Sequence, residues 1–351
     1  MELKLALIGF GVVGRGFTDI LIRKRDYLLN KYNLRVRVVG ICDLKYGSVV
    51  NSEGLDITKA LEVVRSGKSL EKEFDGVKGL GAVEFIDVSN ADVVVEATWT
   101  NLETGEPGLT HIKKALSSGK HVITTNKGPI ALAYRELSSL ARSKGVKLLF
   151  SGTVMSGTPS IRTLIRGLAG CYVSEVAGIL NGTTNYILTK MEEGLTFNEA
   201  LRDAQMKGYA EADPTMDIDA WDPTAKIVIL ANIAFDSDLK PKDVIRKGIR
   251  DIKLDNIKDA LRRGKRVKLI ARAWVDGNTV KAKVTPEEVD INSFFGQVTG
   301  TVNAVMYRTD SLGDVYLIGR GAGGEEAGQA ILADLIELNS ILEESKLLTS
   351  R

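Results

Sequence analysis

The sequence predicts an α/β protein in two parts: a doubly wound parallel sheet at the N-terminus, followed by a second α+β domain. Three observations carry the prediction. Short apolar runs alternate with helical patterns through residues 1–150. A glycine loop joins the first strand to the first helix, and a Gly/Ser/Thr-rich stretch, Ser151 to Pro159, precedes a change to long alternating strands. Repeated βα units favour a parallel sheet covered by helices, because each crossover must pack back onto the sheet.

Taken in order, Leu3 to Ile8 is an apolar strand, and Val12 to Leu29 has helical spacing. Val36 to Cys42 is an apolar, β-branched strand ending at Asp43 and a Gly/Ser turn. Asp92 to Glu96 and His121 to Thr124 read as strands separated by a helix around His111 to Leu116. Ile130 to Ser143 reads as a helix and Val146 to Phe150 as a strand. Beyond the crossing, Cys171 to Leu180 is a strand and Thr184 to Glu193 a helix. Thr196 and Glu199 form a capping-box signature that opens another helix. Arg266 to Val275 and Thr279 to Val284 alternate like antiparallel strands, and Ala327 to Leu347 is amphipathic and helical. The domains are therefore placed at 1–150 and 151–319, with the closing helix within 320–351 completing the first.

Bulk properties exclude several classes. A formal net charge of +2 over 351 residues gives no electrostatic case for binding nucleic acid or a membrane surface. No apolar run approaches the roughly 20 residues that span a bilayer. Cys42 and Cys171 lie in apolar runs and suggest no disulfide framework, which fits a reducing cytoplasm. His111 and His121 lack the spacing of a transition-metal site, so both are assigned to the scaffold.

Gly9-Phe10-Gly11-Val12-Val13-Gly14 follows a strand and opens a helix, the context in which this pattern binds a dinucleotide. That makes the first domain Rossmann-type. The first glycine permits the tight turn and the second lets the backbone approach a pyrophosphate. The third allows close helix–strand packing, while the helix N-terminus offers amide donors. Asp43 ends the second strand, placed either to accept the hydroxyls of a ribose or to sit in a solvated turn. Lys45 is near enough to neutralise a 2′-phosphate, so NAD and NADP both stay open. Thr98, in Glu96-Ala97-Thr98-Trp99-Thr100, and Thr125, Asn126 and Lys127, before Gly128-Pro129, end two further strands on the edge where ligands collect. They are candidates to hold the nicotinamide and the reacting carbonyl; the alternative is a surface turn with a solvated lysine.

The second domain carries an acidic stretch, Gly208-Tyr209-Ala210-Glu211-Ala212-Asp213-Pro214, continuing through Asp217, Asp219 and Asp222 to Lys226. On a helix, Asp219, Asp222 and Lys226 would share one face; Asp222-Pro223 also suits an N-cap followed by a first-turn proline. The apolar run Ile227 to Ala234 predicts a buried helix, and a lysine at its start needs a counter-charge or a ligand. Three readings stay open: a pocket for an amino-acid substrate, an oxygen-ligand divalent-cation site, and a structural ion-pair network.

Together these motifs resemble homoserine dehydrogenase over nearly the whole chain. The resemblance rests on the Gly9/Gly11/Gly14 loop, Thr125-Asn126-Lys127 and Ser151-Gly152-Thr153-Val154-Met155-Ser156-Gly157-Thr158-Pro159. It continues through Gly178-Ile179-Leu180-Asn181-Gly182-Thr183-Thr184-Asn185-Tyr186-Ile187-Leu188, the Gly208 to Pro214 segment, Asp222, Lys226 and Gly319-Arg320-Gly321-Ala322-Gly323-Gly324. It implies an NAD- or NADP-dependent enzyme that interconverts L-aspartate 4-semialdehyde and L-homoserine, in threonine, methionine and isoleucine biosynthesis. It also implies Lys226 as proton donor to the aldehyde oxygen and Lys127 near nicotinamide and substrate. Glu211 and Asp222 would bind the amino group, with Thr183, Tyr209 and Asp217 lining the pocket. A homodimer built on the second domain is implied as well. Ser151 departs from the pattern, standing where many members carry a glutamate that helps backbone carbonyls, such as that of Val154, hold Na+ or K+. No C-terminal ACT-type regulatory domain or fused aspartate kinase is visible, so threonine feedback through such a domain is not expected. Two other readings are a dehydrogenase for another small amino-acid aldehyde or alcohol, and a catalytically silent nucleotide-binding regulator.

Overall fold

Strand β1 (Glu2–Ile8) lies at the centre of the first sheet, apolar along almost its whole length because helices cover both of its faces. The computed structural model describes residues 1–349. It divides into two compact units, one formed by Met1–Gly157 with the segment from Gly323 onward, the other by Thr158–Ala322.

In chain order the first unit continues with α1 (Val12–Arg23), α2 (Arg25–Tyr32), β2 (Arg35–Asp43), β3 (Gly47–Val50), α3 (Ile57–Arg65), α4 (Leu70–Glu73) and β4 (Val77–Lys78). Then come α5 (Ala82–Val88), β5 (Val93–Glu96), α6 (Gly108–Ser117), β6 (His121–Thr124), α7 (Lys127–Ser143) and β7 (Leu148–Leu149). The strand order is β4-β3-β2-β1-β5-β6-β7. The pairs β1 with β2, β1 with β5, β5 with β6 and β6 with β7 are parallel. The far edge is not: β3 runs antiparallel to β2, and β4 to β3, so the expected Gly/Ser turn opens a hairpin instead. The single expected helix from Val12 to Leu29 is also two, broken at Lys24 (φ −106°, ψ 11°) and ended by Asn33 in the left-handed region.

The closing helix, α15 (Gly324–Thr349), belongs to this unit; residues 350 and 351 of the expected 320–351 segment lie outside the described residues. Its Ile331, Leu332, Leu335 and Leu338 are buried in the same core as Phe10, Phe17, Ile20 and Leu5. A side chain on Gly16 would meet the Gly324 carbonyl at 2.3 Å, so α1 and α15 touch through bare backbone. The crossing at residues 151–157 packs here too, with the Ser151 amide donating to Asp334 Oδ2 at 3.0 Å.

The second unit begins with α8 (Ser160–Arg162) and a single π turn, Thr163–Gly167. It continues through β8 (Val173–Ile179), α9 (Gly182–Glu192), α10 (Phe197–Met206), α11 (Thr215–Ile218), α12 (Trp221–Ala234) and β9 (Ile245–Arg246). It ends with α13 (Leu254–Arg262), β10 (Lys265–Asp276), β11 (Thr279–Asp290), α14 (Phe294–Gln297), β12 (Val302–Thr309) and β13 (Gly313–Arg320). The sheet order is β13-β12-β8-β10-β11-β9, antiparallel except where the short β9 joins β11. Helix α10 opens with the capping box expected at Thr196 and Glu199, each side chain satisfying the other residue's amide. Helix α12 is apolar all round and packs on the sheet, leaving its first turn as the place where polar side chains cluster.

Candidate active site

The glycine loop is built as a dinucleotide cradle. Gly9 has φ +91°, and a Cβ there would lie 2.5 Å from the Ala97 carbonyl oxygen; one on Gly14 would meet the Gly9 oxygen at 2.4 Å. At Gly11 nothing stands within 4 Å, so its backbone faces open space where helix α1 begins without a side-chain cap. That exposed turn, with its unspent amides and favourable dipole, suits a pyrophosphate.

The loop residues divide sharply in what they offer. Val12 is exposed and Val13 half-buried. Phe10 is a core residue, and its amide is already committed, donating to Asp43 Oδ2 at 2.7 Å. Asp43 Oδ1 accepts from the amides of Lys45 (2.9 Å) and Tyr46 (3.2 Å). Asp43 thus braces the loop while standing at the end of β2, and the Lys45 ammonium lies 5.2 Å from the Tyr46 ring centroid.

At the ends of β5 and β6 the other candidates converge on a residue absent from the sequence-derived site, the fully buried Glu96. Its Oε1 accepts from the Thr98 amide (3.0 Å) and the Thr98 hydroxyl, and its Oε2 from the Thr124 hydroxyl (2.9 Å). Asn126 joins this group and caps α7, its Oδ1 accepting from the Gly128 amide at 3.2 Å. Lys127 is therefore the first residue of α7, half-buried, with Thr125 half-buried just before the cap.

In the second unit the focus is the first turn of α12. Lys226 is buried; its Nζ donates to the Leu180 carbonyl at 2.6 Å and pairs with Asp222 Oδ2 at 2.7 Å, one helical turn away. Asn181, the N-cap of α9, donates from Nδ2 to Asp217 Oδ1 (2.6 Å) and Asp222 Oδ2 (3.0 Å). Burial, and then the charge of Asp222, push the Asp217 carboxyl above the usual carboxylate range. Thr183 donates to the Tyr209 carbonyl at 2.7 Å, and the Tyr209 ring stands edge-on to Tyr186. Glu211 is exposed, and its carboxylate has no hydrogen-bond or ion-pair partner among the described residues.

Two local expectations fail. Asp219 does not share a helical face with Asp222 and Lys226; it ends α11 and forms a two-pronged pair with Arg250, both distances 3.0 Å. Ala220, at φ +64°, turns the chain between the helices. Asp222 is not an N-cap either, because α12 already starts at Trp221. Asn181 was missed as a site residue, although an asparagine between a strand and a helix is a capping signal.

The expected monovalent-cation stretch, around Ser151 and Val154, would rely on backbone carbonyls. Ser151 brings no carboxylate, its amide is tied to Asp334, Val154 is fully buried, and among the described residues no group of three His, Cys, Asp or Glu side chains could hold a metal.

Compared with known proteins, a chain with this glycine loop on a parallel sheet and this second unit is an NAD(P)-dependent oxidoreductase acting on a CH–OH group. Family models for the homoserine dehydrogenase NAD-binding domain and for homoserine dehydrogenase match residues 9–151 and 159–336. The chain belongs to the homoserine dehydrogenase family. It is 41% identical to the NAD(+)-dependent homoserine dehydrogenase of Pseudomonas canavaninivorans, over 96% of each chain. It is 42% identical to the homoserine dehydrogenase of Methanocaldococcus jannaschii, over 95% of this chain and 98% of that one. A hyperthermophilic archaeal homoserine dehydrogenase solved with NADPH superposes with a TM-score of 0.82 at 30% identity, covering 96% of this chain and 98% of that one.

Proposed function

We propose that this protein interconverts L-aspartate 4-semialdehyde and L-homoserine with Lys226 as the proton-transferring group. The observation that carries the assignment is the setting of Lys226: a buried ammonium held by Asp222 and the Leu180 carbonyl, with Asn181 and Asp217 alongside. A lysine fixed by a carboxylate on one side and a carbonyl on the other is held in one orientation, as a proton-transferring group must be. In the reducing direction the ammonium gives a proton to the aldehyde oxygen and becomes the neutral amine; in the oxidising direction the neutral amine takes the proton of the homoserine hydroxyl and becomes the ammonium. Asp222 keeps Lys226 oriented and, with the free carboxylate of Glu211, binds the substrate's ammonium. Asp217, Thr183 and Tyr209 line the same pocket.

The bound nicotinamide supplies or accepts the hydride. Gly9, Gly11, Val12, Val13 and Gly14 hold the pyrophosphate by backbone, with Phe10 acting through its tie to Asp43. Thr98, Thr125, Asn126 and Lys127 hold the redox end. NAD is the favoured coenzyme, because Asp43, beyond the three amides it already accepts from, keeps an acceptor site for a ribose diol and repels a 2′-phosphate. The enzyme works in the cytoplasm as a homodimer without nucleic-acid or membrane partners.

The test is a spectrophotometric assay with homoserine and each oxidised coenzyme, with and without sodium or potassium. Wild type should reduce NAD+ more efficiently than NADP+. Lys226→Ala should lose at least about a thousandfold in kcat while binding coenzyme normally. Near-normal turnover in that variant removes Lys226 from the mechanism.

A further inference from the structure

We infer that Glu96 is a positioning residue for the redox end of the coenzyme site, acting through Asn126 and the start of α7. The inference rests on the reading of Thr98, Thr125, Asn126 and Lys127 given above. It comes from the direction of two hydrogen-bond chains that converge on one buried carboxylate. In the first, the Asn126 amide donates to Thr124 Oγ1 at 3.0 Å, and the Thr124 hydroxyl donates to Glu96 Oε2 at 2.9 Å. In the second, Asn126 Nδ2 donates to Thr98 Oγ1 at 3.4 Å, and the Thr98 hydroxyl donates to Glu96 Oε1. Asn126 Nδ2 also donates to the Trp99 carbonyl at 3.0 Å, and the Thr98 amide adds a further donor to Oε1.

The two threonines can both donate to one side chain only if it presents two acceptor oxygens. A carboxylate does so; an amide of the same shape does not. The outcome is a fixed orientation of Asn126. With Nδ2 turned toward Thr98 and Trp99, its Oδ1 faces the Gly128 amide and sets the first turn of α7, where Lys127 stands. The space around the asparagine is tight: a Cβ on Gly108 would lie 2.6 Å from Asn126 Nδ2, and one on Gly128 2.3 Å from the Asn101 carbonyl oxygen. Asn126 therefore has little room to move without its anchor. His111 Nδ1 lies 3.8 Å from Glu96 Oε1, too far for a hydrogen bond, so the threonines carry the link.

The experiment is Glu96→Gln, with Thr124→Val as a second variant that cuts one chain without touching the carboxylate. Melting temperature, kcat and the separate KM values for homoserine and coenzyme are measured, together with fluorescence titrations using NADH and NADPH. For a folded Glu96→Gln protein the expected result is a kcat at least about tenfold lower and a several-fold weaker coenzyme affinity, since small displacements of positioning groups carry large rate costs. The KM for homoserine should stay within about twofold, because the substrate carboxylates lie in the other unit. Thr124→Val should move the same parameters less. A folded Glu96→Gln enzyme with unchanged kcat and coenzyme affinity overturns the inference, whatever its melting temperature. If that variant does not fold, unchanged values in Thr124→Val overturn it. A wild-type protein that fails to oxidise homoserine sinks the enzymatic reading instead, and the NADH titrations then decide on Glu96 independently.

Discussion

Gly11 is open around its Cα, as a residue that serves a ligand rather than the fold would be. Its φ is −75° and its ψ −149°, and a methyl group there would meet nothing within 4 Å. Gly11→Ala should therefore leave the melting temperature nearly unchanged, because the added methyl displaces no neighbour. The same methyl would stand between the loop backbone and the pyrophosphate, so the coenzyme KM should rise at least about tenfold. Unchanged kinetics in that variant would place the pyrophosphate elsewhere. Gly14 differs, since a Cβ there collides with the Gly9 carbonyl oxygen at 2.4 Å, and its loss should damage loop and stability together. Both glycines stand out in the sequence through their spacing. Glu96 does not, because its importance comes from lying opposite Thr124 in the β5–β6 register, far along the chain.

Among the elements, β10 carries an unusual load in Lys268, which is fully buried beside Glu192 and Asn185. Burial pulls its pKa from the ordinary 10.5 down to about 8, the nearby Glu192 only partly compensating. The folded state therefore resists protonation that the unfolded chain accepts. Stability from this group is present above pH 10.5 and is lost as the pH falls toward 8, by on the order of 3 kcal/mol. Below that range the loss is complete and flat. Melting curves between pH 8 and 10.5 should show wild type gaining stability with pH relative to Lys268→Met; parallel curves would refute the assignment. At the same scale, α10 was legible because its capping box is a local signal, whereas the break at Ala220 was not. Nothing in Asp219-Ala220-Trp221 announces a left-handed alanine, so a helical face was drawn through a turn.

For the whole molecule, the two compact units divide the chemistry: the glycine cradle and the Glu96 network in one, the Lys226 cluster in the other. The sheet of the second unit carries a line of alternating charges across its strands. Asp314 pairs with Arg308, Arg308 with Glu175, Glu175 with Arg272, Arg272 with Glu287, and Glu287 with Lys283. The first four of these pairs join neighbouring strands and the last lies within β11; cross-strand pairs fix register more than they add stability. The proposed homodimer is checked by analytical ultracentrifugation, where a mass of two chains is expected at assay concentrations. A single-chain mass accompanied by full activity would remove the dimer from the functional account.

The α/β class, the glycine loop, many of the strands and helices, and the candidate lysines and carboxylates could be read along the chain. Each depends on backbone preferences and periodicities that act within a few residues. The antiparallel edge of the first sheet, the Leu180 carbonyl that receives Lys226, Asn181 bridging Asp217 and Asp222, and the convergence on Glu96 emerged only with the fold. Those contacts join residues far apart in sequence, and they exist because particular strands pair in particular registers and place their ends side by side.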